Sequence, residues 1–187
     1  MRAALDRAIE LVELQGAAVR WEKVPEEPGR YFGILSNSTL ILYEGNTDFE
    51  ALFTLGHLYG HLCQRARPTE EILAAIDIVS PARGFGPLST MERGMMFSHE
   101  IEASGIGLGL CERAGADTTE FRLAYSRMFW ADFTYLCRYV ESGIGGPEPF
   151  ARAMAECSKL ETLVDVVYET PDFRLTPPID GRDILVV

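Results

Sequence analysis

Residues 47–64 read Thr47-Asp-Phe-Glu-Ala-Leu-Phe-Thr-Leu-Gly-His-Leu-Tyr-Gly-His-Leu-Cys-Gln64, and this stretch predicts a helix that binds metal. Thr47 and Glu50 have the spacing of a capping box, in which each side chain satisfies a free backbone amide at the helix start. His57 and His61 are four residues apart, so about 40° of rotation and roughly 6 Å of rise separate them on a helix. Both imidazoles can therefore reach one ion.

A second predicted helix carries the other candidate ligands. Ser89 and Glu92 repeat the capping-box spacing ahead of a helix that runs to about Arg113. This helix holds His99 and Glu102, so all three histidines of the chain lie on the two capped helices. The pattern favours one metal site built from both helices.

A helical wheel chooses between the two acidic residues of this second helix. Glu102 shares an apolar face with Gly105 and Gly109, which would let another helix come close. An unpaired carboxylate buried on such a face would cost several kcal/mol, so Glu102 needs a partner. Glu100 lies about 160° away, where a solvated role suffices. We therefore expect Glu102 to complete the site.

The rest of the chain predicts an α+β fold that is mostly helical, with a small N-terminal antiparallel sheet packed on the metal-binding helices. The expected strands cover residues 19–24, 31–35 and 39–43, and Ser36-Asn-Ser38 joins the last two as a hairpin. The other expected helices cover residues 3–15, 70–79, 117–141 and 147–163. The tail after Val164 is expected to be extended.

Composition favours one domain in a reducing compartment. The 187 residues are 47% hydrophobic, which is enough for one substantial core and too little chain for two full-sized domains. The four cysteines are widely spaced with no C-x-x-C pair, so we expect buried thiols and no disulfide framework. No signal-like leader and no apolar run near the ~20 residues of a membrane span is present, and we expect a cytoplasmic protein.

Net charge restricts the partners. Seventeen basic residues against 28 acidic ones give a net charge of −11, which repels phosphate backbones. We expect no direct nucleic-acid binding and no membrane contact, and the expected substrate is a protein, a peptide or a small apolar molecule. The aromatic residues crowded into 121–135 predict a packed core, with a hydrophobic cavity or a homodimer interface as alternatives.

These residues resemble a known family. Residues 41–62 look like the strand and active-site helix of the ImmA/IrrE-type zincin domain, whose members carry a Phe-Thr-Leu-Ala-His-Glu-Leu-Gly-His-like sequence. The later Glu100-Ile-Glu-Ala-Ser104 is similar to the Glu-x-Glu-Ala-Asn stretch that supplies that family's third zinc ligand. The resemblance covers residues 3–112 of a single zincin-like domain, and residues 117–187 are expected to be its helical C-terminal extension.

The resemblance implies zinc held by His57, His61 and Glu102, and it implies a metallopeptidase. Several family members cut helix-turn-helix repressors. The family's catalytic glutamate is here replaced by Leu58. In a zinc peptidase that glutamate takes a proton from the attacking water, which is worth about 10²- to 10⁴-fold in rate. Leucine cannot take a proton, so hydrolysis requires a substitute.

Two residues are candidates for the missing base. His99 precedes Glu102 by three residues and could be the base, a fourth ligand or a donor that orients Glu102. It could also be an ordinary buried histidine. Glu50 lies two helical turns from His57, which is too far for direct action. The residues expected to line the pocket are Thr54, Leu58, Met91 and Met95.

Three functions fit these residues. The first is a metal-dependent, peptidase-like hydrolase that uses a base other than residue 58, with zinc as its metal. The second is a non-peptidase metalloenzyme, because two histidines and one carboxylate also hold Fe(II) in non-haem oxygenases, which need no glutamate base. The third is a catalytically inactive zincin-fold protein that binds or regulates a partner, in which a metal only locks two helices together.

Overall fold

Helices make up most of the structure, as expected for the predicted α+β class. The computed structural model describes residues 1–24, 32–168 and 184–186. The elements are α1 (Arg2–Glu13), β1 (Ala18–Glu22), β2 (Gly33–Ser36), β3 (Thr39–Tyr43), α2 (Asp48–Ala66), α3 (Glu70–Val79), a 3₁₀ turn (Pro81–Arg83), α4 (Thr90–Arg113), α5 (Thr119–Ser142), α6 (Pro147–Cys157) and β4 (Ile184–Val186). None of the helices in these ranges has the length and apolar character needed to cross a membrane.

The sheet is mixed, which corrects the expectation of an antiparallel one. Its strands lie in the order β1-β3-β2-β4. β1 runs parallel to β3, whereas β2 runs antiparallel to both β3 and β4. The predicted hairpin is present between β2 and β3, where Asn37 adopts a φ of 54°, a left-handed conformation that asparagine tolerates. Alternation along β1 indicates a strand but not the direction of its neighbour, so sequence could not fix this pairing.

α2 lies at the centre of the molecule. Its capping box forms as predicted, with the Glu50 amide donating to the Thr47 hydroxyl at 3.2 Å and the Thr47 amide donating to the Glu50 carboxylate at 2.8 Å. Every residue from Ala51 to Gln64 is buried, because α2 contacts β2 and β3 as well as α1 and α4. A helix buried all round belongs to the core, so both of its histidines point into protein.

Small residues let α2 and α4 touch backbone to backbone. A Cβ added at Gly56 would lie 2.9 Å from the carbonyl oxygen of Gly107. A Cβ added at Gly60 would overlap the backbone of Ala103. This contact brings the histidine-bearing side of α2 directly against α4.

Gly105 and Gly109 face an extended segment and not a helix, contrary to the expectation from the wheel. We call residues 160–168 the strap. The Val167 amide donates to the carbonyl oxygen of Gly105 at 3.0 Å, and the backbone of Val167 passes directly over Gly109. The Ser126 hydroxyl of α5 accepts another strap amide at 2.9 Å. The strap therefore covers the side of α4 on which the two glycines have no side chains.

The main core also contains the buried aromatic residues of α5 and three of the four cysteines, while Cys137 belongs to a smaller cluster. Buried aromatic side chains of that helix are Phe121, Tyr125, Phe129 and Tyr135. This placement favours the packed-core interpretation of the aromatic run. All four cysteines are buried and free, as expected from their spacing.

The contact between α2 and α4 predicts opposite effects for two glycine-to-alanine substitutions. Gly60→Ala should lower the free energy of unfolding by about 1–3 kcal/mol, the usual range for overpacking, because the added methyl meets the Ala103 backbone. Gly94→Ala, at an exposed position of α4 with open space around it, should raise it by about 0.5–1 kcal/mol. Urea titrations followed by circular dichroism measure both values. Equal effects of the two substitutions would contradict the close packing.

Candidate metal centre

Two imidazole nitrogens and one carboxylate oxygen meet between α2 and α4. Nε2 of His57 lies 3.1 Å from Nε2 of His61 and 3.1 Å from Oε2 of Glu100. Nε2 of His61 lies 3.3 Å from the same oxygen. The two histidines are 1% exposed and Glu100 is 6% exposed. These three side chains could hold a metal ion.

The spacing of the three atoms fits a transition metal. Zinc bonds of about 2.0–2.1 Å at tetrahedral angles place neighbouring ligand atoms roughly 3.3 Å apart, and the same bonds at right angles place them roughly 2.9 Å apart. The observed separations of 3.1 to 3.3 Å fall between these values. Calcium and magnesium prefer oxygen ligands, so two imidazoles disfavour them. Three protein ligands leave at least one position open, as in catalytic zinc sites.

Neighbouring polar groups hold both imidazoles in this orientation. Nδ1 of His57 is 2.7 Å from the Ser104 hydroxyl, and Nδ1 of His61 is 3.0 Å from the side-chain oxygen of Gln64. The Gln64 nitrogen donates to the His99 carbonyl at 2.8 Å, so its oxygen is the end that faces His61. That oxygen only accepts, so Nδ1 of His61 carries a proton. Outer hydrogen bonds of this kind fix the tautomer of metal-binding histidines.

Electrostatics keep Glu100 ionised. Burial raises the pKa of its carboxyl, but attraction to His61 and hydrogen bonds with His57 and His61 outweigh burial, and the pKa falls well below its ordinary value. A buried carboxylate is tolerated where positive charge or donors compensate it. The centre is therefore a site of negative charge flanked by nitrogen ligands, as cation binding requires.

The carboxylate in the centre is Glu100, and the expectation that Glu102 faces the two histidines is wrong. Glu102 is exposed, and its carboxylate accepts a hydrogen bond from Gln64 at 2.9 Å. The wheel misassigned the faces because it took the glycine-bearing side of α4 as the one that meets α2, and the strap occupies that side. The spacing of Glu100, Ser104 and Gly107 at four and three residues is the signal that marks the true face.

His99 lies beside the centre but outside the ligand group. Its ring centroid is 4.8 Å from that of His61, and its Nδ1 is buried with no hydrogen-bond partner in the described part of the chain. Burial and the nearby His61 lower the pKa of His99 to about 4, although Glu100 opposes the shift. A neutral His99 is compatible with a base or a fourth ligand, and both roles stay predictions.

The other predicted site residues lie apart from the three ligands. The Glu50 carboxylate closes the capping box at the start of α2. Thr54 and Leu58 are fully buried and pack against β2, so their side chains face the sheet. Met91 is 72% exposed, and Met95 packs against a smaller hydrophobic cluster formed with α3 and α5.

Asp132 of α5 is a further buried carboxyl near the centre, and helical spacing alone did not single it out. It is 6% exposed. Burial raises its pKa well above the ordinary value, and negative charge on Glu100 raises it further while His61 lowers it. Asp132 therefore keeps its proton to a higher pH than an ordinary aspartate does. Its interaction with α4 is long-range in sequence, which is why a wheel of α5 gives no sign of it.

Comparisons of the chain with protein-family models, with curated proteins and with solved structures give no match. The resemblance to the ImmA/IrrE-type zincin domain therefore rests on the residues of the chain itself.

The raised pKa of Asp132 predicts a pH-dependent effect of Asp132→Asn on stability. In the unfolded chain an aspartate ionises above about pH 4, whereas in the folded protein this carboxyl keeps its proton to a higher pH. The folded state then binds one more proton, so each pH unit above about 4 lowers the stability of the unsubstituted protein by about 1.4 kcal/mol until the folded carboxyl ionises. Asparagine abolishes this loss.

Metal-free Asp132→Asn should therefore gain stability relative to the unsubstituted protein as the pH rises above about 4. Urea titrations at a series of pH values measure the difference. A difference that stays constant with pH would rule out a raised pKa at Asp132.

Proposed function

We propose that the chain is a metal-dependent hydrolase whose metal is held by His57, His61 and Glu100. The observation that carries this proposal is the convergence of two Nε2 atoms and one carboxylate oxygen within 3.1 to 3.3 Å in the core. Two imidazoles and one carboxylate with an open position are typical of catalytic zinc sites. Zinc bound there would polarise a carbonyl group and lower the pKa of water.

The protein's own side chains contribute orientation and a dry environment. Ser104 and Gln64 hold the two imidazoles, so little reorganisation is needed when a cation enters. The Phe53 ring stacks on His57 at a centroid distance of 5.8 Å and covers that face of the imidazole with apolar surface. In a low-dielectric interior, charges act more strongly on a substrate than they do in water.

Position 58 contributes no base to this centre. Leu58 is fully buried, and its side chain contacts β2 at the point where Gly33 lacks a side chain. General acid–base help is worth about 10²- to 10⁴-fold, so an efficient hydrolase needs a proton-transfer group on another element. The similarity of residues 41–62 to zincin peptidases supports a peptide bond as the substrate.

A non-haem iron enzyme is the second candidate. The 2-His-1-carboxylate set is the facial triad of iron(II) oxygenases. The two separations of 3.1 Å involving His57 lie midway between the spacings expected for right-angled and tetrahedral ligands, so they are compatible with this set as well. Such an enzyme needs no acid–base residue at position 58, and its metal would be iron.

The assignment of the ligands predicts different effects for two neighbouring glutamates. Glu100→Gln should weaken metal binding by more than about 100-fold, because loss of an outer hydrogen bond alone costs about 10- to 100-fold. Glu102→Gln, at the exposed position, should keep the metal content of the unsubstituted protein. Anaerobic purification followed by elemental mass spectrometry measures zinc and iron, and circular dichroism checks folding. Unchanged metal in Glu100→Gln would refute the ligand assignment.

Hydrolysis is tested on zinc-loaded protein with unfolded casein as the probe. Peptide products detected by mass spectrometry should disappear after zinc removal and in Glu100→Gln. Iron in place of zinc in the anaerobic preparation would favour the second candidate. Bound zinc without any cleavage would contradict the hydrolase and support a binding protein in which the metal joins α2 to α4.

A further inference from the structure

Asp132 is a buried acid that belongs to none of the ion pairs found in the described ranges. The residue is 6% exposed, and no hydrogen bond to its carboxyl is found there. Buried acids with a raised pKa are concentrated at functional sites. The nearest chemistry in this fold is the metal centre.

One line of contacts leads from α5 to the centre. The Tyr125 hydroxyl donates to the Ser104 carbonyl oxygen at 3.1 Å, and the Ser104 hydroxyl lies 2.7 Å from Nδ1 of His57. Asp132 follows Tyr125 by seven residues, which is two helical turns along the same face of α5. The face that carries Asp132 is therefore the one that looks toward the ligands.

Aromatic contacts fix the level of Asp132 along α4. The Phe97 ring contacts Phe133 and Phe129 at centroid distances of 5.4 and 6.4 Å. Since Ser104 meets Tyr125 and Phe97 meets Phe133, α5 runs antiparallel to α4. Asp132 thus lies level with the turn of α4 that carries Phe97 and Glu100.

We propose that Asp132 is the proton-transfer residue of the His57, His61 and Glu100 centre, in place of the glutamate that position 58 lacks. This inference rests on the hydrolase function proposed above. The Asp132 carboxyl gives its proton to the leaving group, and the resulting carboxylate takes the proton that the attacking water releases. The bond from the water oxygen to the carbonyl carbon forms and the bond to the leaving group breaks. Asp132 ends the cycle neutral, as it began.

The groups around Asp132 keep it in the form that this role needs. Burial raises the pKa of Asp132, and Glu100 adds to the shift while His61 opposes it. Tyr125 also interacts with Asp132, and burial raises the tyrosine's pKa far above neutrality, so it adds no charge. A carboxyl whose pKa is raised in this way keeps a transferable proton to a higher pH than an ordinary aspartate does.

Asp132→Asn tests the role, because asparagine keeps the size of the side chain and cannot relay a proton. The variant should bind zinc at the stoichiometry of the unsubstituted protein, while kcat for casein cleavage falls by about 10²-fold or more with KM unchanged. Met128→Leu is the matched control, since it alters another buried side chain of α5 at nearly constant volume and should keep the full rate. Cleavage by Asp132→Asn at the control's rate would overturn the proposal.

Infrared difference spectra of zinc-loaded minus zinc-free protein give a readout that needs no turnover. The carbonyl stretch of a protonated carboxyl should change on zinc loading in the unsubstituted protein and in Met128→Leu, and the band should be absent in Asp132→Asn. A band that persists in Asp132→Asn, or that zinc leaves unchanged, would overturn the role of Asp132. Failure of every protein to take up zinc would overturn the proposed function, while the band in the zinc-free proteins would still report the state of Asp132.

Discussion

The candidate centre depends on how closely α2 can approach α4. Helices that pack through larger side chains lie about 8–10 Å apart. Gly56 and Gly60 remove the side chains that would hold α4 away, and each of these glycines directly precedes one of the two histidines. The glycines that allow the close approach thus alternate along α2 with the histidines that contact Glu100. The imidazoles of α2 and the carboxylate of Glu100 on α4 can then meet across the contact.

The same core holds two carboxyl groups whose pKa values are shifted in opposite directions. Glu100 has imidazole nitrogens around it and its pKa is lowered, whereas burial and the negative charge of Glu100 raise the pKa of Asp132. Environments that push the pKa values of two acids apart allow one to bind a cation and the other to move a proton. The division follows from which helix each acid occupies, since Glu100 faces α2 and Asp132 belongs to α5.

Local signals made α2 and α4 predictable. Both capping boxes involve residues three apart, and the pair His57 and His61 needs only the geometry of one helix. The choice of carboxylate needs the face of α4 that meets α2, and α4 is buried continuously from Ala103 to Cys111. A helix covered on several sides shows no single apolar stripe, so its wheel could not separate the side of α2 from the side of the strap. Asp132 interacts electrostatically with Glu100 from a third helix, a relation that no local pattern encodes.

The strap bears on the order in which the protein is made. α2 and α4 leave the ribosome well before residues 160–168, so the nascent chain can bring the three ligands together while one flank of α4 is still bare. Gly105 and Gly109 stay open to water until the strap is synthesised and its amides find Gly105 and Ser126. This flank of α4 is therefore covered only after the strap has been translated.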